Sequence, residues 1–201
     1  KIEEYLGSGY KCIASCGHFR EIKSLSDINF DNYDIKFTQS ILKIKRDAVR
    51  EMITLSRVAG KQNVVIATDD DREGEAIGWH ICDIIGLDVS TTRRIIFHEI
   101  TPNAVKNAIL TPTVLNMNLV YAQKCRQIID MVVGFRISPV LWKRFTYGKA
   151  TGKGGSLSAG RCQIPCLKII YDNELTIREH LKGDKDGTST FRVFGRFGSK
   201  K

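Results

Sequence analysis

The sequence predicts an α/β fold, a small parallel sheet flanked by helices and followed by a mainly helical, basic segment. Three observations carry this expectation. Residues 63–68 (NVVIAT) form a nearly continuous apolar run, the pattern of a central parallel strand buried on both faces. A helix and a second apolar strand follow it, so strands and helices alternate to about residue 100. Beyond that point two Thr-Pro pairs, at 101–102 and 111–112, announce helices instead.

In chain order, Lys1 to Leu6 reads as the last turns of a helix stopped by Gly7, and Tyr10 to Ser15 as a short strand. Residues 21–46 are mixed and polar, without a clear period. Asp47 to Ala59 carries apolar side chains at 49, 52, 53, 55 and 58 and ends before Gly60, a helix with its stop signal. After the 63–68 strand, a helix runs from about Glu73 to Ile85 and stops at Gly86. Residues 94–97 (RIIF) form the next short strand. Thr101 caps a helix to Leu110, with Pro102 in its first position. A long helix spans about Asn116 to Phe135, with Leu119, Ala122, Cys125, Ile129 and Val133 as its apolar stripe. Lys149 to Gly155 is a glycine-rich loop, and 161–180 is helical with Pro165 in the first turn. Thr190 to Phe197 alternates with period two and reads as a strand entering a further domain. No internal repeat is present.

Composition narrows the function. The chain has 201 residues, 42% hydrophobic and 26% charged, a folded globular balance. No apolar stretch approaches the roughly 18 residues of a membrane span. The net charge is +9, and its distribution is lopsided. Residues 1–100 hold 14 basic and 16 acidic side chains, whereas residues 101–201 hold 17 basic and 6 acidic. A polyanion on the second half and a cation on the acidic first half is the economical reading. The six cysteines, at 12, 16, 82, 125, 162 and 166, lack a strong metal spacing and read as buried thiols of a reducing intracellular compartment.

The segment 64–76 (VVIATDDDREGEA) holds the chemistry. In open α/β sheets the site lies beyond the carboxyl ends of the strands, where Asp69 and Asp71 fall. Glu73 follows at the helix start, a position that favours negative charge. Clustered carboxylates repel one another unless a divalent cation neutralises them, and hard oxygen ligands suit Mg²⁺ serving phosphate chemistry. The acids alone leave phosphotransfer, phosphohydrolysis and nucleic-acid strand chemistry open, and an acidic surface loop with a helix cap is the plainer alternative.

Residues 67–80 (ATDDDREGEAIGWH) resemble the DxDxE segment of the Toprim domain of type IA DNA topoisomerases. Four further stretches resemble that family in order: 15–20 (SCGHFR), 97–101 (FHEIT), 121–139 (YAQKCRQIIDMVVGFRISP) and 157–163 (LSAGRCQ). Toprim primases and nucleases share the topology but are not expected to carry the last two. The resemblance implies a Toprim-type sheet over 1–104 with its first strand missing, part of a helical DNA-binding domain over 105–186, and a strand over 187–201 entering a missing domain.

It also implies roles. Asp69, Asp71 and Glu73 would hold Mg²⁺, with Arg72 beside the scissile phosphate and His18 and Glu99 near the same centre. Packing for His18 and capping of the Thr101 helix for Glu99 are their structural alternatives. Arg126 would take a phosphate, with Asp130 near a base-binding pocket, and Arg161 and Gln163 would contact the strand near the cleavage site. Gln127 and Met131 stand where many relatives have arginine. The family's nucleophilic tyrosine lies in a later domain, and none of this chain's six tyrosines stands in its context.

The implied activity is ATP-independent cleavage, passage and rejoining of one strand through a 5′-phosphotyrosine. The implied substrate is single-stranded or underwound DNA, handled by a monomer. A nucleotide enters only if the subtype is reverse gyrase. A Toprim primase or nuclease, or a non-catalytic nucleic-acid-binding module, are the rival functions.

Overall fold

The computed structural model describes residues 1–145, 157–183, 192–195 and 198. Its centre is a parallel pair of strands, β3 (Val65–Ala67) and β4 (Arg93–Ile95), in the register Val65↔Arg93, Ile66↔Arg94 and Ala67↔Ile95. Thr113 adds an antiparallel bridge to Arg94 on the other side of β4. Helices flank this sheet and a mainly helical segment follows, as the alternation of apolar runs and helix caps predicts.

A second, antiparallel pair joins β1 (Arg20–Glu21) to β2 (Thr38–Gln39). Between them lies a short 3₁₀ turn, Leu25–Asp27, closed by a Ser24–Asp27 capping box. The polar 21–46 stretch thus holds two-residue strands too short to leave a period. The strand expected over 10–15 is absent: those residues lack regular structure, and the Cys12 amide donates to the Glu3 carboxylate instead of to a neighbouring strand.

Helix α1 (Ile2–Leu6) is followed by Gly7, as its stop signal requires. Helix α2 (Lys43–Ala59) begins a turn before the expected Asp47 and buries Ala48, Val49, Met52 and Ser56. Helix α3 (Arg72–Ile85) ends where Gly86 takes the left-handed conformation, φ 71° and ψ 49°. Helix α4 (Pro102–Leu110) is capped by Thr101, whose hydroxyl accepts from the Ala104 amide. Phe19, Val49, Met52 and Ile85 form one core between α2 and α3, and Ile66, Cys82 and Leu115 form a second between α3 and the sheet.

Helix α5 (Met117–Arg144) is longer than its caps suggest, since it continues through Pro139. Its packed face also differs from the apolar stripe. Ala122, Cys125 and Ile129 are exposed, while Val120, Gln123 and Ser138 are buried. The inward face is partly polar because it meets charged groups of α3, described below. Helix α6 (Gln163–Gly183) has Pro165 in its first turn, where a missing amide costs nothing, and is exposed over 163–182. Only Cys82 of the six cysteines is buried, so the expectation of buried thiols fails for the other five. They lie on outward helix faces and loops. The tail strand expected over 190–197 falls largely outside the described residues, and 192–195 have no regular structure. Among the described residues no helix is long and apolar enough to cross a membrane.

Candidate active site

The loop between β3 and α3 is built by the first turn of the helix that follows it. Asp71 is the N-cap, extended at φ −146° and ψ 173°, and its Oδ1 accepts the Gly74 amide at 2.7 Å. Gly74 is required by contact: a Cβ there would lie 2.1 Å from the Asp69 carbonyl oxygen, so the helix start presses directly on the acidic loop's backbone. Asp69, Asp70, Asp71 and Arg72 are exposed at the carboxyl end of β3.

Beneath the loop lies an ion pair that sequence reasoning missed. Glu75 turns inward from α3 and meets Arg94 of β4 at 3.3 Å, with side-chain exposures of 3% and 1%. Arg94 also donates to the Asp69 carbonyl at 2.9 Å, and Glu75 Oε2 accepts the Asn116 amide at 3.2 Å. Two buried charges therefore fix the loop backbone and the foot of α5 in one network. A guanidinium heading an apolar strand (RIIF) was the available signal, because an inward arginine demands a buried acid.

Glu73 faces α5 rather than the aspartates. Its Oε1 accepts Arg126 Nη1 at 2.5 Å, and its Oε2 accepts Gln123 Nε2 at 2.9 Å. Nε2 of His18 lies 3.0 Å from the same Oε2, and donates since the carboxylate is the acceptor. Two consecutive left-handed residues, Cys16 (φ 56°) and Gly17 (φ 77°), turn the chain that presents His18, and Lys45 Nζ donates to its carbonyl. Gln123, 3% exposed, was not singled out from the sequence, since a glutamine on a helix carries no periodic signal.

The ladder continues outward. Arg126 Nε lies 3.6 Å from Asp130 Oδ2 on the next turn of α5, and Arg161 Nε donates to Asp130 Oδ1 at 2.8 Å. Asp130 holds the Arg161 guanidinium more firmly protonated than usual, first by that hydrogen bond and then by its charge. Arg161 is placed by its own loop: the buried Ala159 amide donates to Ser138 Oγ of α5 at 2.9 Å. His18, Glu73, Arg126, Asp130 and Arg161 thus form one continuous chain of alternating partners.

The remaining expected residues stand apart from it. Gln163 accepts from Ser158 Oγ at 3.3 Å, inside its own loop. Glu99 is exposed and accepts the hydroxyl of Thr101, the residue that itself caps α4, at 3.1 Å. Among the described residues no three metal-capable side chains gather into a ligand set, and Glu73 is turned onto Arg126.

Beside the ladder, His80 is buried against Phe19, Phe37 and Trp79. Burial pushes its pKa down to about 3, with the neighbouring Arg20 charge acting in the same direction. Arg20 in turn pairs with Asp83, and Lys124 caps the Trp79 ring at 3.4 Å.

A family model described as the Toprim domain matches residues 1–100, and one described as DNA topoisomerase matches residues 114–184. Full-length topoisomerase I from Thermotoga maritima superposes with a TM-score of 0.71 at 36% identity. The match covers 86% of this chain and 28% of that one, so the chain spans little over a quarter of its relative's length. A Toprim domain joined in one chain to a topoisomerase segment, and bonded to it through Glu73 and Arg126, places this chain in the type IA DNA topoisomerase family.

Proposed function

We propose that the full-length protein changes DNA topology by cutting one strand, passing another through the gap and rejoining the ends without ATP. On this reading a tyrosine attacks the scissile phosphodiester and keeps its energy in a 5′-phosphotyrosyl bond. The family resemblance implies that this tyrosine stands in a later domain, and none of the six tyrosines of this chain is assigned to it. The observation that carries the reading is the ladder itself. It leads from Glu73, in the first turn of α3 just after the acidic loop, to Arg126 and Arg161 in the basic half of the sequence.

Arg126 and Arg161 are half-exposed, so each presents a fixed guanidinium to phosphate while its acid partner sets its direction. Arg72 heads α3 beside the loop, and Gln163 lies two residues beyond Arg161, where it can reach the same strand. His18 offers an N–H donor at Glu73. Residues 1–104 serve as the Toprim domain and 105–186 as part of the DNA-binding domain, with single-stranded or underwound DNA as partner of a monomer.

Asp69 and Asp71 suit Mg²⁺: both are exposed carboxylates at a strand's carboxyl end, and Asp71 commits one oxygen to its cap. Glu73 joins them only by giving up a donor or by acting through water. Bound there, Mg²⁺ supplies charge neutralisation to phosphate oxygens near the reacting bond. The chain's own residues bind, orient and hold the strand.

An adduct trap tests the reading. The full-length protein is mixed with a single-stranded oligonucleotide labelled at its 5′ end or, separately, at its 3′ end, and quenched with denaturant. Label kept on the protein only from the 3′-labelled strand supports the proposal. No adduct under any metal condition, despite tight binding, favours a Toprim primase, a nuclease or a binding module.

A further inference from the structure

We propose that Asp130 is an internal phosphate mimic, a carboxylate that occupies the anion seat between Arg126 and Arg161 and competes with the DNA backbone for it. The inference rests on the reading that these two arginines grip DNA, and adds how the grip is regulated.

Asp130 Oδ1 accepts from Arg161 Nε at 2.8 Å, while Oδ2 stands 3.6 Å from Arg126 Nε. One carboxylate thus bridges two guanidinium groups that come from different segments, α5 and the loop before α6. That is the arrangement a phosphate makes with paired arginines, each oxygen meeting a different fork. The three side chains are 34–43% exposed, so the seat is open to solvent and to a strand. Arg126 has a second acid, Glu73, at 2.5 Å and stays oriented if Asp130 leaves. Arg161 has Asp130 as its ion-pair partner among the described residues. A backbone phosphate entering the seat therefore exchanges one anion for another at Arg161, and expels a carboxylate that would otherwise repel it. The exchange holds affinity below what the two arginines could deliver, and so limits how tightly the protein holds strands that it must later release.

Binding of a short labelled oligothymidylate by the full-length protein, as a function of salt, tests this with Asp130→Asn, Arg161→Gln, their double variant and, separately, Arg126→Gln. The expected result for D130N is binding roughly two- to tenfold tighter. Its log affinity should also fall more steeply with log salt, by about 0.7 for each phosphate newly neutralised. R161Q should weaken binding and flatten the slope, and in the double variant the gain from D130N should vanish. If R161Q weakens binding while D130N leaves it unchanged or weakens it too, Asp130 is not a competitor, although the DNA-grip reading stands. If neither R161Q nor Arg126→Gln weakens binding, the grip reading fails and this proposal fails with it. D130N keeps the side chain's shape at a half-exposed position, and circular dichroism checks that each variant is folded.

Discussion

Arg94 and Glu75 meet at 3.3 Å with almost no exposure to solvent, and between them they hold the carbonyl of Asp69 and the amide of Asn116. Removing one partner leaves a buried charge without compensation. Arg94→Ala or Glu75→Ala should each lower the unfolding free energy by about 3–5 kcal/mol. The double variant should lose clearly less than the sum, because the orphaned charge is gone. Urea unfolding of the four proteins measures the coupling, and additive losses would show that the pair does not act as a unit.

Gly74 tests how rigidly the acidic loop must sit. A methyl group 2.1 Å from the Asp69 carbonyl forces the loop away from α3. Displacement of a reacting group by about 1 Å can cost on the order of 10²-fold in rate, so on the proposed reading Gly74→Ala in the full-length protein should lose relaxation activity on that scale. Gly9→Ala, with no atom within 4 Å of the added carbon, should change stability by less than about 0.5 kcal/mol and leave activity alone. Plasmid relaxation by both variants makes the comparison, and equal activity would mean that loop position is not critical.

Asp71 caps α3, and on the proposed reading it also binds Mg²⁺, two duties that a substitution pair in the full-length protein can separate. Asparagine caps a helix about as well as aspartate, so Asp71→Asn should keep stability while raising the Mg²⁺ concentration needed for relaxation. Asp71→Ala should show the same metal defect and a further loss of about 1 kcal/mol from the missing cap. Magnesium titrations and thermal melts, run in parallel, resolve the two. An unchanged Mg²⁺ requirement in D71N would remove Asp71 from the metal site.

His80 predicts an acid-sensitive fold. Its folded-state pKa is depressed from 6.5 to about 3, so the unfolded chain binds the extra proton between those values. Stability therefore rises with pH across the window, is fully present above about 6.5, and drains away as pH falls toward 3. The loss reaches up to roughly 4 kcal/mol at the acid end. His80→Phe, which keeps a ring among Phe19, Phe37 and Trp79, should flatten the stability profile between pH 6.5 and pH 4. A slope that survives the substitution would assign the acid sensitivity to other groups.

Legibility in the sequence follows the physical origin of each feature. The β3–loop–α3 unit was readable because an apolar run followed by a helix with a glycine stop is local chemistry, although β3 is not the central, doubly buried strand expected: it pairs with β4 alone, and Ile66 is buried while Ala67 is exposed. Helix α4 was readable from Thr101-Pro102 for the same reason. The face of α5 was misread because its inward positions include Gln123 and Arg126, which satisfy charges on α3 that no local pattern announces. The Glu75–Arg94 pair joins residues on different elements, and a buried pair of opposite charges looks like two surface charges until the fold closes over it. The ladder was legible as a set of residues but not as a connection: its members come from four separate stretches, and only the packing of α3 on α5, with the loops that carry His18 and Arg161, makes them neighbours.

The network at the foot of α5 gives that helix a mechanical character. With 28 residues it is about 42 Å long, and its first turn is fastened to Glu75 while its later turns hold the Arg161 loop through Ser138. A tilt of about 5° at the fastened end would sweep the far end through some 3–4 Å, roughly the length of one residue of extended chain. Any tilt about the buried pair would reach the Arg161 loop multiplied by the length of the helix, and the bonds from Glu73 to Gln123 and Arg126 are what resist it.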